Sequence, residues 1–416
     1  MKVLYVVFKA LLGGHVLSAN TIAKEMMDSG VIPMFAGAEG VMTDEIRKKI
    51  PFTVVDIPVF HGSRQTYFTW KSFSAVSNLR RIIKSQKIEL IHAFDARSYF
   101  HAYLAGLLEG VPVLCTLCGG IDPYYNLPSA PVIIVFSEEQ KQKMVKEFGW
   151  SPENVEVVRT RLDLKQITSN DQLLTDDEAI SFGLDPVLPK VMMISSFDGT
   201  KIRSIHKVLD SVETLFEKNK KFQMVMIGGK GALHEEAMLR GSKICQHFGA
   251  KRIVFTGPVI GAYKLLQRAD IVLGVGRSAF EGMAYGRPTL IIGENGFAGA
   301  VCPEDVEAIA WYNFSGRNQY QDVSSNVLVE QIDALLSDEK RRLQLGKFAQ
   351  KYVLSEIDVT QGAQRITDIY ERMSAQNTQF QVWKNWGSFF KCLAPIAKDN
   401  GLHAPKQGVK HLLKRG

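Results

Sequence analysis

The stretch GVGRSAFEGMAYGRPTLIIGENGF, Gly274 to Phe297, comes after an apolar run, DIVLGV, and gathers Arg277, Ser278, Ala279 and a single carboxylate, Glu281. The free backbone amides of residues 278–281 and the helix dipole make an anion site, and Arg277 adds a full positive charge beside it. A carboxylate repels phosphate. Glu281 therefore makes chemical sense as an acceptor for neutral hydroxyls next to that phosphate, such as those of a ribose. As a first-turn carboxylate favoured by the dipole alone it would contribute under ~1 kcal/mol. Spacing does not separate the two readings.

Other residues could act on hydroxyls. His15, Asp95 and Arg97 are candidates for hydroxyl positioning or proton acceptance. Asp95 could equally pair with Arg97 and cap a helix beginning near Ser98, and His92, at a strand end, could equally be a satisfied structural histidine. Lys201 and Arg203 are two nearby cations, a pair that is usually solvated. The CTLC pair, Cys115 and Cys118, lacks the second ligand pair of a zinc site and the helix start of a redox motif, so strand packing is expected. No Asp-x-Asp occurs in the sequence, which argues against a carboxylate-held Mg²⁺ or Mn²⁺.

The elements that must hold these residues come in two similar sets. KVLYVVF (Lys2 to Phe8) and KVMMISSF (Lys190 to Phe197) each open a half, and each leads into a loop and a helix-period segment. In the first, Val16, Ala19, Ile22, Ala23, Met26 and Met27 share a face, with Gly30 past the end; in the second, Ile205, Val208, Leu209, Val212 and Leu215 recur at three and four. The further apolar runs IELIHAF, VPVLCTL, PVIIVFS, VEVV, FQMVMIGG, RIVFTG and PTLIIG alternate with helices. Such runs predict parallel sheets covered on both faces, so each half is expected to be an α/β, doubly wound, Rossmann-like domain with ligand at the carboxyl ends of its strands. The expected divisions are 1–166, a polar linker 167–189, 190–354, a helix over 355–375 that returns to the first domain, and a tail, 376–416.

Several of these segments, in order and over residues 1 to about 373, resemble family-4 retaining glycosyltransferases of the GT-B fold. Glu281 is similar to the second glutamate of the family's Glu-x7-Glu pattern, and MAYGRP and the PTLIIG strand are similar to the segment after that glutamate. LLGGHVLSANTIAKEM is similar to its N-terminal glycine loop, ISSFDGTKIRSIHKVLDS to its phosphate-gripping loop, and RIVFTGPVIGAYKLLQRADIVLG to its base-binding segment around Gly257. IELIHAFDARSYFHAYLAGLLEGVPVLCTLCGG is similar to the stretch that faces the acceptor. VIIVFSEEQKQKMVKEFGWSPENVEVVRTRLDL is similar to the run ending in Asn-Gly-Ile-Asp. The resemblance implies two Rossmann-like domains facing a central cleft and retention of anomeric configuration. It implies that Gly13 and Gly14 let the backbone approach a diphosphate or acceptor, that Lys201 and Arg203 are the phosphate cations, and that Glu281 binds ribose. The chain departs from the pattern at Leu273, where the first glutamate would stand, at Ser196, the arginine position of the phosphate loop, at Cys118, often a histidine, and at Thr160-Arg161, which replaces Asn-Gly. Lys201, Arg203 and the helix start after Arg277 would stabilise the leaving diphosphate without a metal or other cofactor.

Length and composition agree with a two-domain globular chain, and five cysteines in 416 residues point to a reduced, cytosolic compartment. The opening MKVLYVVFKALLGGH imitates a signal peptide, but Lys9 interrupts the apolar run and a buried strand is expected. The net charge of +7 sits mostly in the tail, where seven Lys/Arg after residue 375 face one acid, Asp399. There Trp383, Trp386, Phe390 and Leu393 share a helical face, with Phe389 beside them and Lys384, Lys391 and Lys398 flanking. Residues 57–88 add Arg64, Lys71, Arg80, Arg81, Lys84 and Lys87 with no acid. An anionic membrane surface at the inner face of the membrane is the expected partner, against a tail that simply packs on the body. No motif supports nucleic acid. The expected activity is sugar transfer from a UDP- or GDP-linked nucleotide-sugar donor to a lipid-linked or cell-surface glycan. A catalytically weak GT-B subunit serving as a nucleotide-binding scaffold or as the partner of another transferase is the alternative, supported by the departures at 273, 196 and 118.

Overall fold

The computed structural model describes residues 1–58, 70–118, 127–159, 161–169, 173–197, 199, 201–293, 296–318, 325–375 and 386–392. The chain divides into two compact units, Met1–Arg161 with Val359–Gly416, and Leu162–Asp358.

The first unit holds seven strands: β1 (Lys2–Lys9), β2 (Ile32–Ala38), β3 (Phe52–Val54), β4 (Leu90–Phe94), β5 (Val113–Leu117), β6 (Ile133–Val135) and β7 (Val155–Val157). Their order is β3-β2-β1-β4-β5-β6-β7, and every pairing is parallel. Successive side chains alternate between two cores, one for each face. Val3, Tyr5 and Val7 enter one, Leu4 and Val6 the other. This double burial is why β1 reads as an unbroken apolar run. The Gly14–Asp28 helix buries Val16, Ala19, Ile22, Ala23 and Met26, while Met27, read as part of that face, is exposed.

The second unit holds β8 (Lys190–Ile194), β9 (Gln223–Ile227), β10 (Ile253–Phe255), β11 (Ile271–Gly274), β12 (Thr289–Gly293) and β13 (Gly296–Ala300), ordered β10-β9-β8-β11-β12-β13. Of these strands, only β13 runs antiparallel to its neighbour. The Ile202–Glu217 helix buries all five residues of its predicted face, Ile205, Val208, Leu209, Val212 and Leu215.

The unit boundaries differ from the expected divisions. Residues 162–189 belong to the second unit and carry two short helices, Leu164–Thr168 and Asp176–Ser181. Leu174, Ala179 and Leu184 supply the reason, since they are buried with Met192 and Val225 of the sheet. Their polar neighbours hide that apolar set in the sequence. The chain leaves the second unit at Asp358, whose carboxylate accepts the Leu164 N–H at 3.4 Å.

The Val359–Ala375 helix packs on the first unit, burying Ile366, Ile369, Tyr370 and Met373 against the β1 side. A buried chain of polar groups fastens it. The Thr116 hydroxyl bonds to Nε2 of His92 at 2.7 Å, Nδ1 of His92 bonds to the Tyr370 hydroxyl at 2.7 Å, and that hydroxyl meets Tyr5 Oη at 2.9 Å. His92 is the structural histidine of the two readings, and burial lowers its pKa to about 3. Among the described residues no helix is long and apolar enough to cross a membrane.

Because His92 binds no proton when folded until about pH 3, whereas an unfolded histidine does so near 6.5, its contribution is fully present above pH 6.5 and is lost as pH falls toward 3. The slope is about 1.4 kcal/mol per pH unit for one such group. Denaturant unfolding between pH 6.5 and 4.5 should therefore show a shallower acid limb in His92→Gln than in the parent chain, by about one proton. Equal slopes would contradict this.

Candidate active site

In each sheet the chain order reverses between two central strands, β1 and β4 in the first unit and β8 and β11 in the second. Helices that come after such strands pack on opposite faces, so their N-termini flank a crevice at the carboxyl ends.

In the second unit β8 and β11 pair through Val191 with Ile271 and Met193 with Leu273. The helix after β8 buries Ile205 and Val208 in one core, and the helix after β11 buries Ala279, Phe280 and Met283 in the core of the other face. Both begin at the same edge. Gly276, at φ 51°, turns the chain from β11 into the Arg277–Ala284 helix and gives its first amides no side-chain cap. Gly282 lets this helix close on the sheet, since a Cβ there would come within 2.8 Å of Val272. Ser278 turns its hydroxyl back onto its own loop, 3.1 Å from the Val275 carbonyl, so its backbone rather than its side chain faces the N-terminal opening.

Glu281 lies one turn in and is only 7% exposed. Arg277 Nε donates to its carboxylate at 2.9 Å. Burial raises the Glu281 pKa, and the Arg277 guanidinium opposes that shift. The first-turn reading of Glu281 as a mere dipole partner does not account for this depth. Arg277 is therefore engaged with Glu281 as well as standing beside the anion site.

Across the crevice, Lys201 opens the Ile202–Glu217 helix and donates through Nζ to Ser196 Oγ at 3.1 Å. The departure at Ser196 thus supplies the lysine with a local acceptor. Arg203 is exposed on the first turn. Phe197, next to Ser196 and buried, has φ 51°, an uncommon conformation for an aromatic residue. Gly257 follows β10, accepts the Gly228 N–H through its carbonyl at 2.8 Å, and lies beside a strand two places from the crevice. Leu273 is fully buried in β11, within the sheet core, so an acid at this position would have no access to solvent.

The crevice of the first unit is built from Gly13, His15 and Asp95. Gly13 precedes the Gly14–Asp28 helix, and a Cβ there would come within 3.2 Å of the His15 ring, so the bare backbone makes room for the imidazole. A Cβ on Gly14 would touch nothing. Asp95 lies just past β4 with φ 71° and ψ 155°, a region nearly reserved for glycine that costs about 1–3 kcal/mol. It does not cap the Ala96–Glu109 helix; its carboxylate accepts the Cys118 N–H at 3.1 Å. Arg97 lies over the Phe8 ring at 5.7 Å. The three candidates are electrostatically joined. Burial raises Asp95, with His15, the Cys118 amide and Arg97 pulling it down; burial lowers His15, which Asp95 offsets and Arg97 reinforces.

Cys115, in β5, and Cys118, just past it, pack against opposite cores of the sheet rather than facing a common site. Arg161 escaped the sequence reading, where it registered only as a departure from Asn-Gly. It is 4% exposed, lies over the Phe136 ring at 4.3 Å, and its charge acts on the Cys118 thiol. Thr160 lies outside the described residues.

Residues 12–166 match the family model described as Glycosyltransferase Family 4. No curated protein matches. Among solved structures, a glycosyltransferase from Rickettsia africae ESF-5 is 17% identical with a TM-score of 0.69, covering 91% of this chain and 99% of that one. HepE from Anabaena, crystallised with UDP and glucose, is 17% identical with a TM-score of 0.65 over 89% and 99%. A UDP-GlcNAc 2-epimerase from Neisseria meningitidis, bound to UDP-GlcNAc, is 15% identical with a TM-score of 0.57 over 88% and 98%. At such identity the three share the fold, and the epimerase shows that the fold alone does not choose a reaction. The family-4 glycosyltransferase match thus covers residues 12–166, while over the whole chain the likeness to these solved structures is one of fold.

Proposed function

We propose that the chain transfers a sugar from a UDP- or GDP-linked nucleotide-sugar to a lipid-linked or cell-surface glycan, with retention and without a divalent metal. The reaction would take place in the cytoplasm at the anionic inner face of the membrane. One observation carries the reading. The crevice between β8 and β11 is flanked by the uncapped Arg277–Ala284 helix with its buried Glu281 on one side and by Lys201 on the other. Amides and a lysine suit a diphosphate, and a buried carboxylate beside them suits ribose hydroxyls. HepE's crystallisation with UDP and glucose agrees with such a donor.

In this scheme the bond between the anomeric carbon and the diphosphate oxygen breaks, and a bond to the acceptor oxygen forms. Charge gathering on the diphosphate is met by Lys201, Arg203 and the amides of Ser278 and Ala279, fixed in advance by the fold. Gly257 borders the base. On the first unit, Gly13 and Gly14 bare the backbone, and the Asp95–His15 pair takes the acceptor hydroxyl's proton, burial lowering the pKa of His15.

Three outcomes test this reading. Calorimetric titration with UDP and GDP should give a dissociation constant that rises roughly tenfold to a hundredfold in Glu281→Ala, the worth of a charged hydrogen bond; unchanged affinity would remove Glu281 from the donor site. Turnover of the accepted nucleotide-sugar should survive EDTA unchanged, and loss restored by Mg²⁺ or Mn²⁺ would overturn the metal-free mechanism. Asp95→Asn should lower kcat by about a hundredfold or more while leaving the donor KM in place, and an undiminished kcat would exclude Asp95 from proton transfer.

A further inference from the structure

The structure divides the two aromatic and basic segments of the first unit differently from their sequence periodicity. Residues 386–392 are helical, and Phe389 and Cys392 are buried in the same core that receives the Trp70–Gln86 helix. Phe389 stacks on Phe100 at 5.2 Å and on Tyr103 at 6.4 Å, both of the Ala96–Glu109 helix. That part of the tail is thus spent on packing. Trp383, Lys384, Leu393, Lys398 and Arg64 lie outside the described residues.

What remains exposed forms a surface of its own. Trp70 is 87% exposed and Phe73 56%, their rings 5.7 Å apart at the start of the Trp70–Gln86 helix; Phe390 is 61% exposed beside the buried Phe389. Large aromatics with so much area in water mark a contact surface. The three helical segments 70–86, 96–109 and 386–392 together carry Lys71, Arg80, Arg81, Lys84, Arg97 and Lys391 against a single acid, Glu109. Glu109 is itself covered by Arg80 at 2.5 Å and Lys84 at 3.3 Å.

Direction follows from the sheet. The Trp70–Gln86 helix leads into β4 and the Ala96–Glu109 helix leaves it, in a sheet whose strands are all parallel, so both helices run back against the strands with their first turns at one end. The Ala96–Glu109 helix starts at Asp95, on the carboxyl edge of the sheet. The Trp70–Gln86 helix ends where β4 begins and, over 17 residues, extends about 25 Å back toward that same edge. Trp70 and Phe73 therefore lie toward the edge that holds Asp95 and His15, and Phe390 neighbours the Phe389 that stacks on Phe100 near the start of the Ala96–Glu109 helix.

The geometry points to this aromatic and basic rim, centred on Trp70 and Phe73, as the surface by which the first unit docks on an anionic lipid bilayer beside its acceptor crevice. The inference rests on the membrane reading given under the proposed function and assigns a part in it to the helix at 70–86. Indole and phenyl rings enter the headgroup boundary, and the cations meet anionic lipid. A lipid-linked acceptor would then present its hydroxyl at the edge where Asp95 stands.

The test is flotation of the full-length chain with phosphatidylcholine vesicles and with vesicles containing about 30% phosphatidylglycerol, an anionic surface of the kind that draws basic segments, for the parent and for Trp70→Ser/Phe73→Ser. Both residues are exposed, so the melting temperature should not change and serves as the folding control. The parent should float with the anionic vesicles at least tenfold better than with neutral ones, and the double variant should lose at least tenfold of that binding. A parent that binds while the double variant binds equally well would overturn this assignment and leave the membrane reading standing. A parent that floats with neither would overturn both. A dimer in light scattering without lipid, lost in the double variant, would show that a second copy occupies the face and would likewise overturn it.

Discussion

A parallel sheet whose chain order reverses at its centre cannot close the space above the reversal. The helices after β8 and β11 are forced onto opposite faces, and their first turns are left side by side, neither with a cap hydrogen bond from its N-cap side chain. The same constraint acts at β1 and β4, where His15 and Asp95 begin or precede the two flanking helices. Every candidate residue except Gly257 lies at one of these two reversals. The arrangement needs no special sequence beyond apolar strands and helices of the right period. It therefore persists at 17% identity to HepE and at 15% to an epimerase.

Charge is the part that residue choice adds. Burying Glu281 costs desolvation that its single bond from Arg277 repays only in part, as the upward shift of its pKa records. A carboxylate kept at such a position, one turn inside an otherwise apolar helix, has more to gain from a polar ligand than from the fold. Asp95 obeys the same logic with a conformational cost added, since aspartate at φ 71° holds a place that glycine would occupy without strain.

Much of this architecture is legible in residue type alone. Apolar runs and three-four periodicity are direct consequences of double burial, so the strands and the faces of the helices at 14–28 and 202–217 can be read from the sequence. Glu281 stands out because a lone acid in an apolar first turn is chemically odd. Other features depend on partners far away in the chain. The His92–Tyr370 bond spans 278 residues, and no local pattern announces it. Leu174, Ala179 and Leu184 lie in a polar, acidic stretch whose apolar members are too sparse to show a period. Phe389 and Phe390 are neighbours with opposite fates, since only one can face Phe100. Leu273 reads as a missing acid from motif spacing but is a core residue by position.

The central claim is that a diphosphate sits at the β8–β11 reversal, and a crystal structure of the chain with its nucleotide-sugar tests it most directly. The account predicts phosphate oxygens within hydrogen-bonding distance of the Ser278 and Ala279 amides and of Lys201 Nζ, with the ribose hydroxyls on Glu281. A diphosphate bound elsewhere, with Glu281 still held only by Arg277, would contradict it.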